Sequence, residues 1–532
     1  MDTQEFANES TVFTHRQEGT VDEFHRSYED AVETVRSELG DAHPLVIGGT
    51  AVGTETDFAV ENPGNLDQRI GTFASGDAAD VGRAVEAAAK AFESWRRRSV
   101  AERVEIFRGA ADLMADRKYE LAATLTLEAG KNRTEAMAEI DEGIDFLRFY
   151  AGELDRHDGY RIETGEPTPD QRCRNRLEPF GVFGVVGPFN FPFAIFTGMT
   201  AGAAITGNTV VAKPASATPL IAHNVVGILS EAGVPDGVVN LVTGGGSAVG
   251  QPLVEHEGVA GVVFTGSREV GRGIQETFFE QGKPGPVIAE LGGKNPVIVT
   301  GNADLEKAVS GVVNGAFGFA GQKCSATSRV YVHEDVMVPF ARELVEKTET
   351  LRILPPEHEE AFVSPVIDDA AVERYREICE TASEEGRLLT GGDVVRSDAL
   401  PDGRYLRPTV VTELPHDHEL AREEQFLPFV TLHPVSDLDG AITKANDSQY
   451  GLCAGLFSED GTEVDEWFDR IESGMCYVNR HQSATTGALV QAQPFGGWKA
   501  SGTTSKFAGG YWYLPQFMRE QSRTVVGDVG RR

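Results

Sequence analysis

Two textures alternate along this chain. Between residues 80 and 131, in DVGRAVEAAAKAFESWRRRSVAERVEIFRGAADLMADRKYELAATLTLEAGK, alanines and leucines recur at helical spacing with charged residues between them. That periodicity predicts several amphipathic helices, and AMAEIDEGIDFLRFYAGEL over 136–154 predicts another. Short Val-rich runs then take over: GVFGVVGPFNFP, NTVVAKP, GVVNLVTGGG and VAGVVFTGS, each ending in Gly, Pro, Ser or Asn. Helical stretches such as PLIAHNVVGILSEAG (219–233) separate them. Strands alternating with helices predict a parallel sheet with crossover helices. A second alternation begins at KNPVIV (294–299) and passes through SRVYVHE, a helix near 335–350, LLTGG, RPTVVTELP and KANDSQYGLCAGLFSED. The pattern therefore predicts two α/β lobes. Residues 1–40 are polar and acidic with some helical periodicity, and read as an appendage.

Length and composition fit this picture. The 532 residues are enough for several domains and a cleft between them. No apolar run approaches the roughly 20 residues of a membrane span. The first residues, MDTQEFANESTVFTHRQEGTVDEF, lack the basic and apolar regions of a signal peptide, so a cytoplasmic protein is expected. The formal net charge is -34, which argues against nucleic acid and anionic membranes as partners. Lysine is scarce, 12 against 36 arginines, while acids abound. That balance reads as adaptation to high salt, where carboxylates keep the surface hydrated and salt screens their repulsion. The five cysteines are widely spaced with no C-x-x-C, which argues against a disulfide framework or a zinc site. His416 and His418 in PHDHEL have no further ligands nearby and read as a solvated turn, so no metal is expected.

Ligands of parallel sheets bind outside the carboxyl ends of the strands. Asn190, Lys213, Gly244 to Gly246, Gly266 and Ser267 all fall at such ends and read as one site. Cys324 is the second focus. In FGFAGQKCSATSR it lies among small residues that leave room for something to approach its sulfur, with Lys323 beside it as a source of positive potential. In VIAELGGK, Glu290 is one acid on an apolar strand, either a general base or a satisfied structural acid. In GPFNFP, the Asn190 amide either donates to an oxyanion or organises a turn. GGGSAVG is one residue off the dinucleotide fingerprint, and no fingerprint occurs elsewhere.

Taken in order, GPFNFP, VVAKP, FTGS, ELGGK, FGFAGQKCS, EEQF and QPFGGWKASG resemble the aldehyde dehydrogenase superfamily over residues 45–525. The resemblance implies an α/β fold with a Rossmann-type cofactor domain, an α/β catalytic domain and a small β oligomerisation flap. It implies boundaries at 45–158 and 178–292 for the NAD(P)-binding domain, 293–509 for the catalytic domain, and 159–177 with 510–532 for the oligomerisation segments, leaving 1–44 as the acidic appendage. That family binds its nicotinamide cofactor without the usual fingerprint. Carried over, Cys324 is the nucleophile, Asn190 and the Cys324 N–H hold the oxyanion, and Glu290 activates water. Lys213 matches the adenosine-ribose ligand, and Gly266 and Ser267 the pyrophosphate contact at a helix start. Glu424, Phe426 and Phe189 match residues around the nicotinamide ribose and ring.

EPFGVFGVVGPFNFPFAIFTGM, FGFAGQKCSATSR and TTGALVQAQPFGGWKASGT are most similar to the Δ1-pyrroline-5-carboxylate dehydrogenases. That branch implies oxidation of L-glutamate γ-semialdehyde to glutamate. Phe191 and Phe495 match its aromatic box, Ser325, Gly487 and Ala488 its carboxylate anchors, and Glu139 a residue lining the site. The plainer reading of Phe191 and Phe495 is core packing, and of Glu139 a helix surface. The alternative substrate is another carboxylated semialdehyde such as succinic semialdehyde. Two departures stand out. EEQFLPF carries Leu427 where the family has glycine, which bears on how that loop meets the cofactor. Ser216 stands where NAD-preferring members carry Glu, so the cofactor expected is NAD or NADP. The resemblance also implies a homo-oligomer.

Overall fold

The computed structural model describes residues 6–481, 489–527 and 529. Its fold is mixed α/β, with two Rossmann-like sheets of seven strands each. Across the first sheet the strands run Val287–Glu290, Val259–Thr265, Val182–Val186, Thr209–Lys213, Val239–Leu241, Leu45–Ile47 and Thr50–Val52. The first five are parallel, and the last two add an antiparallel hairpin. Chain order therefore reverses between Val182–Val186 and Val259–Thr265, which opens a crevice at their carboxyl ends. The strands are Val-rich and buried on both faces because helices cover both sides.

Across the second sheet lie Arg387–Thr390, Thr409–Thr412, Phe429–Val435, Thr327–His333, Asn295–Val299, Cys453–Phe457 and Met475–Val478. All are parallel except the Arg387–Thr390 edge. Glu290 closes the last strand of the first sheet and Asn295 opens a strand of the second, so four residues carry the chain from one lobe to the other. Among the described residues no helix is long and apolar enough to cross a membrane.

The helical spacing over 80–131 resolves into Ala78–Trp95, Val100–Asp116 and Lys118–Ala129, and that over 136–154 into Arg133–Arg156. Local chemistry sets several starts. Asp77 with Asp80, and Ser99 with Glu102, form capping boxes, and Asn132 accepts from the Glu135 N–H.

Two readings need correction. Residues 6–40 are no appendage. The helix Val21–Ser37 buries Phe24, Tyr28, Val32 and Val35 in the same core as the helices it packs on, and the Tyr28 hydroxyl donates to the Ala122 carbonyl oxygen at 3.0 Å. These apolar residues recur every three or four positions, a helical stripe that acidic composition masked. Likewise, residues 510–517 do not stand with the flap. Tyr513, Leu514 and Phe517 are buried in the first core. The projecting sheet is Arg161–Gly165, Gln171–Pro179 and Met518–Val526, three antiparallel strands with Ile162 and Val526 exposed.

Candidate active site

Cys324 sits between a tight turn and the strand Thr327–His333. The turn, Gly318–Gly321, holds Phe319 and Ala320 at φ 50° and 52°, the left-handed region that costs non-glycine residues energy. Gln322 pins it. The side-chain amide of Gln322 donates to the Pro365 carbonyl oxygen at 3.2 Å, and its Oε1 accepts from the Ile367 N–H at 2.9 Å. Asn295 pins the other side, donating through Nδ2 to the Cys324 carbonyl oxygen at 2.7 Å and to that of Ala326 at 2.9 Å. Cys324 is 8 % exposed and opens onto a cavity whose walls include Glu290, Phe191, Phe495 and Ser325.

Burial pushes the Cys324 thiol well up, and the carboxylates of Glu424 and Glu290 push the same way. The Ser325 N–H opposes this by favouring the thiolate. Lys323, expected to supply positive potential, instead pairs with Glu135 at 2.5 Å. Glu290 ends its strand, paired with Thr265 on one side and Gly502 on the other. Burial holds its carboxyl well above the usual range, while the Gly497 N–H pulls it down. Asn190 is buried after Val182–Val186, and its amide makes no hydrogen bond to any described residue.

Lys131 and Glu139 form a fully buried pair at 2.6 Å behind Phe191. The Lys131 ammonium lies 3.6 Å from the centre of the Phe191 ring and 4.5 Å from that of Phe319. The other Glu139 oxygen accepts from the Phe193 and Ala194 N–H groups at 2.8 and 3.2 Å. Glu139 thus lines the cavity with both oxygens committed, and it fixes the turn that carries Asn190 and Phe191.

The remaining expected residues gather at the strand ends. Lys213 is buried, its ammonium donates among the described residues to the adjacent Pro214 carbonyl oxygen alone, at 2.9 Å, and burial lowers its pKa to about 8. Ser216 Oγ donates to the Gly244 carbonyl oxygen at 3.0 Å. Ser267, after Gly266, caps the helix Arg268–Glu280. Glu424 Oε1 accepts from the Gly293 N–H at 2.9 Å, and burial raises its pKa to about 7. Phe426 takes φ 58° and meets Phe189 edge-on at 5.8 Å. Leu427 is buried in the second lobe, packed over Gly321. Gly487 and Ala488 lie outside the described residues.

Sequence reasoning passed over Asn295, Gln322, Lys131 and Glu135. The first two sit inside quoted motifs, but their work is to bond backbone far away in the chain, which spacing does not reveal. A lysine at 131 and acids at 135 and 139 fall at four-residue intervals, and that signal reads equally well as a solvated helix face.

The chain is 40% identical over 512 residues to the 1-pyrroline-5-carboxylate dehydrogenase of Geobacillus thermodenitrificans, covering 95% of this chain and 97% of the relative. It is 40% identical to 1-pyrroline-5-carboxylate dehydrogenase 2 of Bacillus subtilis, over 94% of this chain and 95% of that one. Among solved structures, the Thermus 1-pyrroline-5-carboxylate dehydrogenase with bound NAD superposes with a TM-score of 0.90 at 37% identity, covering 94% and 96% of the two chains. A Staphylococcus aureus betaine aldehyde dehydrogenase in complex with NAD+ gives 0.87 at 30% identity, over 95% and 99%. The model of the aldehyde dehydrogenase family matches residues 50–522, a span that takes in the whole second sheet, all of the first but the strand Leu45–Ile47, and every side chain around Cys324 described above. The chain belongs to the aldehyde dehydrogenase family.

Proposed function

We propose that this chain oxidises L-glutamate γ-semialdehyde, in equilibrium with Δ1-pyrroline-5-carboxylate, to L-glutamate with NAD or NADP. The observation that carries the reading is a buried thiol and a buried carboxyl on the walls of one cavity, with the buried Asn190 amide beside the cavity-lining Phe191, in a chain 40% identical to a 1-pyrroline-5-carboxylate dehydrogenase.

The strand-end crevice fits a dinucleotide. Lys213 holds a buried ammonium with a single, adjacent partner, and a Cβ added at Gly245 or Gly246 would meet nothing, so the backbone there leaves space. Lys213, Ser216, Gly266 and Ser267 would hold the adenosine and pyrophosphate, and Glu424, Phe426 and Phe189 the nicotinamide half. Such a cofactor, when bound, supplies the hydride acceptor that aldehyde oxidation requires.

The chain's own groups do the rest. The Cys324 sulfur bonds to the aldehyde carbon, and the carbonyl oxygen takes the charge as its π bond opens. The Asn190 amide and the Cys324 N–H donate to that oxygen. Loss of a hydride from that carbon to the nicotinamide acceptor, as the carbonyl re-forms, would leave a thioester on Cys324. Glu290 takes a proton from water, water attacks the thioester carbon, and the sulfur leaves. Phe191 and Phe495 hold the aliphatic part of the substrate, and Ser325, with Gly487 and Ala488, holds its carboxylate.

The test is cofactor reduction in molar salt with glutamate semialdehyde, succinic semialdehyde and a simple aliphatic aldehyde, using NAD and NADP in turn. Glutamate semialdehyde should lead by orders of magnitude in kcat/KM. Equal rates with all three would leave the family chemistry standing and remove the substrate assignment.

A further inference from the structure

A second cavity, of about 660 Å³, opens where the projecting sheet meets the first lobe. Its walls include residues 96–101 with Arg103, the projecting strands through Arg161 and 176–179, and the last strand through Met518 and Arg523. Seven arginines and two acids, Asp158 and Glu178, line it, in a chain whose net charge is -34. The reaction proposed above uses none of them.

Few of these guanidinium groups are neutralised. Arg176 and Arg523 share Glu178, each at 2.6 Å, and Arg97 pairs with Glu93 at 3.0 Å. Arg96, Arg98, Arg103 and Arg161 have no ion-pair partner among the described residues. Glu102, whose charge also reaches Arg98 and Arg103, is held by Ser99 in its capping box and is not part of the lining.

Arg103 is 7 % exposed. Its Nε donates to the Ile205 carbonyl oxygen at 2.8 Å and its Nη1 to that of Arg98 at 2.9 Å, which leaves Nη2 without a partner among the described residues. Those carbonyls fix the plane of the group and cancel none of its charge. Burial lowers its pKa to about 10, and the charge of Arg161 pushes the same way. Arg161 in turn stands directly opposite Arg176 on the neighbouring antiparallel strand. Like charges in that register repel. The first residues of the helix Val100–Asp116 line the same cavity and bring the positive end of the helix dipole to it.

Cations crowded in this way call for an anion among them, and guanidinium forks match phosphate oxygens two at a time. We propose that this cavity binds a multivalent phosphate, free or carried on a small molecule. Because its walls belong to the lobe and to the projecting sheet, the occupant would fasten one to the other.

The experiment follows thermal unfolding and calorimetric titration of the full-length protein with sodium pyrophosphate, tripolyphosphate and ATP. Ionic strength is fixed, and NAD is kept saturating so that the cofactor crevice is filled. Pyrophosphate should bind with a Kd below about 1 mM and raise Tm. Equal affinity for ATP and tripolyphosphate would mean a free phosphate chain is the ligand, and tighter ATP binding a phosphate carried on a nucleoside. Arg161→Gln and Arg523→Gln should each weaken pyrophosphate by about tenfold or more. Without any added phosphate, Arg161→Gln should melt above the wild type, since it removes repulsion, whereas loss of a merely structural arginine would lower Tm. No binding, or binding unchanged in both variants, would overturn the inference. So would a change of oligomeric state in Arg161→Gln, read by sedimentation, with no pyrophosphate bound by the wild type, which would make the patch a contact between copies of the chain.

Discussion

The Asn295 side-chain amide donates to the carbonyl oxygen of Cys324 at 2.7 Å, from the first residue of the neighbouring strand. Its Oδ1 also accepts from the Cys453 N–H at 3.0 Å, so one buried side chain ties three backbone segments together. The residue whose N–H would face the oxyanion in the proposed reaction is thereby held through its carbonyl, in the next peptide along the chain. Asn295→Ala should lower kcat by about tenfold to a hundredfold while KM for the cofactor stays near its wild-type value. Inactivation by iodoacetamide should slow in parallel, since the sulfur loses its fixed position. Unchanged kcat and alkylation would show that the loop holds itself.

Glu290 acts as a base only when ionised, and its pKa lies well above the ordinary carboxylate value. In the proposed reaction, deacylation should therefore speed up with rising pH over a range well above that in which an ordinary carboxylate titrates. Glu290→Gln should keep a fast first turnover of cofactor reduction and then stall, with steady-state rates down by about a hundredfold to ten-thousandfold and the pH-dependent rise gone. Stopped-flow absorbance reads both phases. A variant that loses the first turnover as well would place Glu290 earlier in the reaction.

Glu128 is fully buried and accepts from the Leu220 and Ile221 N–H groups at 2.6 and 3.0 Å. Burial raises its pKa from 4.5 to about 8. Because the folded value lies above the unfolded one, its contribution to stability is complete below pH 4.5 and is lost as pH rises through about 8. Glu128→Gln, which stays neutral, should therefore gain on the wild type between acidic and alkaline conditions, by about 1–4 kcal/mol. Denaturant midpoints at the two extremes measure this. A difference that does not move with pH would sink it.

Tyr28 offers a direct test of the N-terminal helices. Tyr28→Phe removes a hydroxyl that pairs with Thr126 at 2.6 Å and with the Ala122 carbonyl oxygen, and should cost about 1–2 kcal/mol. Tyr28→Ala also empties a fully buried site and should cost about 3–5 kcal/mol. Near-zero effects in thermal unfolding would mean that the helix Val21–Ser37 is dispensable after all.

These cases mark where sequence was legible. Val-rich runs ending in Gly or Asn gave the parallel strands, because both sheet faces are covered and continuous apolar runs result. Cys324, Glu290 and Asn190 stood out as candidates because the proposed nucleophile, base and oxyanion donor need particular residue types beside small or turn-forming neighbours. The Lys131–Glu139 pair and Asn295 were not visible. Each is defined by what it touches across many residues of chain, and polar composition alone puts such side chains in solvent. The N-terminal helices failed for the related reason that overall acidity outweighed four apolar positions on one face.

The turn at residues 7–11 has a consequence for how the protein is made. Its anchors, Asp141 and Asp145, follow it by 130 to 138 positions, so the ribosome releases this segment long before its docking helix exists. It must wait unpaired through the synthesis of that stretch and then fold back. The part of the Cys324 pocket wall that carries Glu9 is therefore made well ahead of the helix it docks on and can be seated only after that helix has emerged.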